Sequence, residues 1–278
     1  MKKHMIINRL KTAFVNTYKQ RRTNNIIKKQ YFSSLNKYAD YPMGCEGTQY
    51  LFTQSQVLSD VFAKYALQDI AGSGSTLSRA RNIMQWVADH SRYDGGSPLG
   101  PSLPDKILEY GFEQNNPINC TNRAVLFSDA LISLGIFAMP MFLNHFVSER
   151  GETHCHTIAQ VWLPEFNSWC AFDPSFNTYF LYNNKPIDVP SMALLLRKNK
   201  SFQAISNETG KSTRNGTLCT KIGLMDIFIL PGNDFRYRYH WDEMLHFVPE
   251  SYLTEKQITA KIVGFSMINK KPVWQSNS

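Results

Sequence analysis

At 278 residues, with 43% hydrophobic and 13% aromatic content, the chain can build one core with extensions or two small domains, which excludes a disordered protein. Its longest dense apolar stretch, Ala130 to Leu143, is too short to span a bilayer and contains Pro140, so no transmembrane segment is expected. The net charge of +8 is concentrated: residues 1–39 hold ten Lys or Arg and no acid, leaving 20 basic against 22 acidic residues in a slightly acidic body.

The basic arm comes first. Ile6, Leu10, Phe14 and Tyr18 recur at i, i+4 spacing and predict an amphipathic helix. The arm has no continuous apolar core and no small-residue cleavage site, so it does not read as a secretory signal. It reads as a basic helix laid on the body or in solvent; an acidic partner or an anionic surface is the alternative, and nucleic acid is not expected. Cys45, Cys120, Cys155, Cys170 and Cys219 are odd in number, widely spaced and without C-x-x-C. Reduced thiols and a cytoplasmic location are therefore expected, rather than a disulfide framework or a zinc ribbon.

Residues 1–70 read as a helical extension, clearest in "SQVLSDVFAKYALQDI". "AGSGST" (Ala71 to Thr76) is a linker; it lacks both the third glycine of G-x-G-x-x-G and a G-K-[ST] ending, so it is no phosphate loop. Thr76 or Ser78 is placed to cap the next helix, whose Ile83, Trp86, Val87 and His90 share one face. A turn-rich loop, "DGGSPLGPSLP", leads to a short helix, "DKILEYG", stopped at Gly111.

After a proline turn, Cys120 opens an apolar-periodic run. Ala124, Phe127, Ala130, Leu131 and Leu134 lie on one helical face, and Gly135 stands where a C-terminal cap belongs. "IFAMPMFLNHFV" reads as a buried strand, and "HTIAQVWL" and "WCAFD" as two strands joined by "PEFNS". "SMALLLRKNKSF" predicts a short helix, Ile205 to Thr217 an exposed loop, and the aromatic closing part further strands. The expected organisation is an extension over 1–70, a core over 71–190 and a C-terminal extension over 191–278 that completes the sheet.

If Trp162 faces Trp169, then Gln160 faces Ala171, and His156 lies one diagonal step from Asp173 on the same sheet face. A register shift of one would separate them. Cys155 and Cys170 point to the other face. Cys120, expected to be partly exposed, sits where unpaired N–H groups and the helix dipole favour a thiolate. An activated nucleophile with His156 as base and Asp173 as orienting acid is one reading; a buried structural cysteine is the other. His154 and His156 also share a strand face, a two-histidine metal corner with Glu152 or Asp173. His240, Asp242 and Glu243 read as a strand end or turn.

The order of "WVADHSRYD", "DKILEYG", "NCTNRAVLFSDALISLGI", "HTIAQVWLP" and "WCAFDPS" resembles the transglutaminase-like superfamily of papain-like thiol enzymes over about residues 77–176. The resemblance implies an α+β fold: a nucleophile-bearing helix packed on an antiparallel sheet, with a helical N-terminal extension. It implies Cys120 as nucleophile, His156 as base and Asp173 as acid, with no metal and no organic cofactor. Two departures stand out. Ile118-Asn119 stands where Gly-Asp or similar often precedes the cysteine and Asn122 where an acid often follows it, and Thr157 replaces the Ala or Trp after the histidine. The implied function is acyl transfer on an amide or thioester carbonyl of a peptide, protein or small molecule, as a peptidase, amidase or transglutaminase-type enzyme. The backbone N–H of Cys120 is the natural oxyanion donor, with Gln114 or Asn115 as the second. The alternative is a non-catalytic peptide-binding module on the same fold.

Overall fold

The structure, a computed structural model, describes residues 50, 52–53, 56–98, 100–144, 155–198, 200–223, 226–229, 245–246 and 271–275. The basic arm, Cys45, Glu152, His154, His240, Asp242 and Glu243 lie outside them. The first half runs β1 (Phe52–Thr53), α1 (Gln56–Ala63), α2 (Leu67–Ala71), α3 (Thr76–His90), α4 (Pro104–Ile107), a π-helical turn (Leu108–Glu113) and α5 (Cys120–Ser133). Then come β2 (Ala138–Asn144), β3 (His156–Leu163), β4 (Ser168–Asp173), β5 (Thr178–Tyr182) and β6 (Lys185–Pro186). The chain continues through α6 (Val189–Arg197), β7 (Gln203–Ser206), α7 (Asn215–Gly223), β8 (Asp226–Ile229), β9 (Leu245–His246) and β10 (Trp274–Gln275).

The helices start and stop for local reasons. Ser75, one residue before the expected caps, receives the Ser78 N–H and opens α3. Ala66 adopts a left-handed φ of 49°, which breaks the expected single helix into α1 and α2. Gly111 does not end its helix as expected; the π-helical turn runs through it to Glu113. A Cβ at Gly111 would stand 3.0 Å from Ile118 Cγ2, so glycine here permits a close approach to the segment that leads into Cys120. At the other end of α5, Gly135 takes φ +74°, its N–H reaches the Ile132 carbonyl and the Ile136 N–H reaches Leu131. That pair of bonds is a Schellman cap, which turns the chain into β2.

β2 to β9 form one sheet in which each pairing is antiparallel. From one side run β9, β8, β2, β3, β4 and β5, with the short β6 and β7 both on β5. Among the described residues β8 pairs with residues 142–144 and the proline stretch pairs with β3 alone, where Pro140 is tolerated. The tract expected as an exposed loop instead starts in β7, where Ile205 is buried, and ends in α7.

Each face of the sheet carries an apolar core. Ala159, Val161, Leu163, Cys170 and Phe172 pack against α3 and α5, and Leu58, Phe62 and Leu67 from α1 and α2 join that cluster. Ile158, Trp162, Trp169 and Ala171 face the other way, onto Val189, Met192 and Leu196 of α6. α5 is buried from Asn122 through Ile132, as befits a helix enclosed on all sides. Burial of each large apolar side chain in it stabilises the fold by about 1.5–3 kcal/mol. Among the described residues, no helix is long and apolar enough to cross a membrane.

Candidate active site

Cys120 is the first residue of α5. Asn119 before it is the N-cap, and its side chain accepts the Asn122 N–H at 3.1 Å. With that N–H capped and the Arg123 N–H bonded to the Asn119 carbonyl, the amides of Cys120 and Thr121 are left without an acceptor inside the helix. Their orientation and the helix dipole both favour negative charge at the sulfur. The thiol is more covered than expected, at 9% exposure.

The register of β3 and β4 pairs Trp162 with Trp169 and Gln160 with Ala171, as the sequence predicted. The two indoles meet edge to face at 5.6 Å between centroids. One step past the last pairing, His156 Nε2 lies 2.9 Å from Asp173 Oδ2. Asp173 is fully buried, and its Oδ1 accepts the Ser175 N–H at 3.0 Å. Because Nε2 is engaged by Asp173, Nδ1 is the nitrogen left to hydrogen-bond with Cys120. Strand parity alone puts His156 on the sheet face turned away from α5. It meets the thiol because it is the first residue of β3 and stands at the sheet's rim.

The electrostatics of the pair run in one direction. Burial pushes the Cys120 thiol up, but the hydrogen bond and charge of His156, with hydrogen bonds from Thr157, outweigh it and leave the thiol below its ordinary value. Burial pulls His156 down, while the charge and hydrogen bond of Asp173, then Cys120, raise it well above the usual imidazole range. A depressed thiol beside a raised imidazole favours a thiolate–imidazolium pair. Burial instead drives Cys170 up to about 12, and it raises Cys155 as well. Iodoacetamide at about pH 6.5, some two units below an ordinary thiol, is therefore expected to label Cys120 before Cys155, although Cys155 is the exposed one of the two. Peptide mass mapping against time reads the order, and earlier labelling of Cys155 would contradict it.

Thr157 was visible in the sequence only as a departure at the position after the histidine. In the structure its hydroxyl lies 2.8 Å from that of Thr121, joining the start of α5 to the start of β3. Asn122, the other departure, donates to the Pro101 carbonyl at 2.7 Å, and Asn119 Nδ2 reaches Pro98 O at 3.2 Å. The two amides pin the turn-rich loop against the start of α5. Side-chain amides can be read off a sequence, but the loop carbonyls that they meet cannot. Gln114 and Asn115 are both exposed. Gln114 Oε1 accepts from Asn116, and the Asn115 carbonyl accepts from Arg92. Neither is joined by those bonds to Cys120. Among the described residues, no group of three His, Cys, Asp or Glu could hold a metal ion.

Residues 64–174 match the family model of the transglutaminase-like superfamily, an interval that contains Cys120, His156 and Asp173. This segment is transglutaminase-like. The match begins at the residue after α1 and ends one residue after β4, so the transglutaminase-like core comprises α2 to β4. A solved structure from Cytophaga hutchinsonii, provisionally named a cysteine protease, is similar at 18% identity and a TM-score of 0.33. The similarity covers 42% of this chain and 37% of that one, well under two thirds of its length. No curated protein matches the chain. The fold is α+β, with the cysteine-bearing helix packed on an antiparallel sheet.

Proposed function

We propose that the protein is a cysteine-dependent acyl-transfer enzyme that acts on amide or thioester carbonyls through an acyl-enzyme at Cys120. The observation that carries this reading is the meeting of a depressed thiol and a raised imidazole at a helix N-terminus, with a buried carboxylate on the far imidazole nitrogen. The Cys120 thiolate attacks the carbonyl carbon, and the developing oxyanion takes the first-turn N–H groups of Cys120 and Thr121. His156 gives its Nδ1 proton to the leaving amine or thiol as the tetrahedral intermediate collapses. The imidazole then removes a proton from water or from an acceptor amine, which attacks the thioester and restores the free thiolate. Asp173 holds the ring in orientation and offsets its charge throughout.

The substrate class is a peptide, a protein or a small amide or thioester. We assign the chemistry to the core over about 71–190, with 1–70 and 191–278 as extensions around it, and take the cytoplasm, where thiols stay reduced, as the working compartment. Incubation of the full chain with a pool of activated acyl thioesters, followed by intact and peptide mass measurement, tests the reading. An acyl increment on the Cys120 peptide that water or an amine removes is the expected result. Saturable retention of peptides with no increment would instead assign the cleft to binding alone.

A further inference from the structure

Three residues after Cys120, Arg123 leaves α5 one turn further on and is only 5% exposed. Among the described residues its guanidinium meets no carboxylate at ion-pair distance; main-chain carbonyls hold it. Nη1 donates to Pro174 O at 3.2 Å and to Ser175 O at 3.3 Å, and Nη2 donates to Ser91 O. The guanidinium carbon lies 5.3 Å from the Tyr93 ring centroid, and Nε has no partner. A buried cation held this way costs several kcal/mol of desolvation that packing an apolar side chain would avoid. Its placement therefore calls for a task.

The carbonyls it holds supply that task. Pro174 and Ser175 directly follow Asp173, in a turn closed by the Asp173 carboxylate on the Ser175 N–H and by the Phe176 N–H on the Asp173 carbonyl. Ser91 begins the segment whose Arg92 carbonyl and Asp94 N–H bond to Ile118, two residues before the thiol. Tyr93 meets Phe176 at 5.7 Å, and Phe176 meets His156 at 5.7 Å. One side chain thus ties the nucleophile helix to the turn that carries the acid and to the aromatic contacts on the base.

We propose that Arg123 is a positioning residue of this site, locking the Asp173–Phe176 turn and the Ser91–Tyr93 segment to α5 so that thiol, imidazole and carboxylate keep one alignment. The inference rests on the reading of Cys120 as nucleophile. Arg123 acts through the turn that carries Asp173; burial lowers its guanidinium below the ordinary value, and the charges of Tyr93 and Asp173 work against that fall. Lysine could keep the charge but could not present a planar fork to three carbonyls at once.

The test is the pH profile of Cys120 alkylation by iodoacetamide, measured on the full chain for wild type, Arg123→Lys, Arg123→Gln, Asp173→Asn and the Arg123→Gln/Asp173→Asn double variant. In Arg123→Gln the rate at low pH should fall about tenfold, equivalent to one unit in the thiol's titration, with a smaller fall in Arg123→Lys. In the Asp173→Asn background the same Arg123→Gln change should cost less than about threefold, because the group it acts through is already lost. Equal losses in both backgrounds, or a wild-type profile in a folded Arg123→Gln protein, would overturn the proposal. If Arg123→Gln gives no cooperative melt, the same cycle with Arg123→Lys decides by the same criteria. Alkylation needs no acyl substrate, so its failure leaves acyl transfer standing. Absence of the acyl increment on Cys120 with an intact alkylation cycle removes acyl transfer alone.

Discussion

Cys120→Ala is expected to lower acyl turnover by at least about 10⁴-fold while the thermal midpoint moves by only a few degrees. The two effects separate because the change removes one sulfur from a position at the head of α5, outside the apolar stack of Leu126, Phe127, Ala130 and Leu131. The N-cap bond from Asn119 to the Asn122 N–H and the hydroxyl pair of Thr121 and Thr157 do not involve the sulfur. The helix should therefore keep its start. Residual rate would come from the first-turn N–H groups and from binding, which alanine leaves in place. Parallel steady-state kinetics and thermal melts check this. A fall in melting temperature that accounts for the lost activity would mark Cys120 as a packing residue.

His156→Ala is expected to cost about as much, and Asp173→Asn roughly ten- to a hundredfold less. In His156→Ala the thiol loses the main influence that lowers it, only the Thr157 hydrogen bonds are left against burial, and its titration should move upward. Alkylation of Cys120 near neutral pH should then become slow. In Asp173→Asn the amide oxygen can still accept the Ser175 N–H, which leaves its NH₂ group facing Nε2. That arrangement favours the imidazole tautomer with its proton on Nδ1, toward Cys120, which is the wrong one for taking a proton. The charge that raises His156 is gone as well, so the imidazolium should give up its proton at a lower pH and the active window should narrow from its alkaline side. Rate against pH for the three proteins reads both shifts. An Asp173→Asn variant with the wild-type window would deny the carboxylate its orienting part.

The pairing of His156 with Asp173 was legible because strand register follows from a short turn and a facing pair of large aromatics. Trp162 and Trp169 are such a pair, and the side-chain period of two does the rest. The helix after Cys120 was legible from its apolar spacing and from Gly135. Alternation could not say which sheet face α5 covers; parity puts His156 on the opposite one, and only its place at the end of β3 brings it to the thiol. Arg123 was equally hidden. A charged residue inside an apolar-periodic run reads as a solvated exception, and its three carbonyl partners come from segments 32 to 52 residues away in the chain. The polar tract after Ile205 misled for a related reason. Its composition is that of a loop, yet β7 gains its bonds from β5, a long-range pairing that composition does not report.

The Thr121–Thr157 contact spans 36 positions in the sequence, and it is the seam along which a helix and a strand of separate origin meet. Chain closure over such a distance is entropically costly and comes after local helix formation, so α5 can be fully wound while its cysteine still lacks the influence of His156 and Thr157. The lowering of the thiol by His156 then belongs to the docked state alone. Any opening that parts α5 from β3 without melting either would take His156 away from the thiol reversibly, and the slowing of alkylation at low pH would measure the fraction of open molecules.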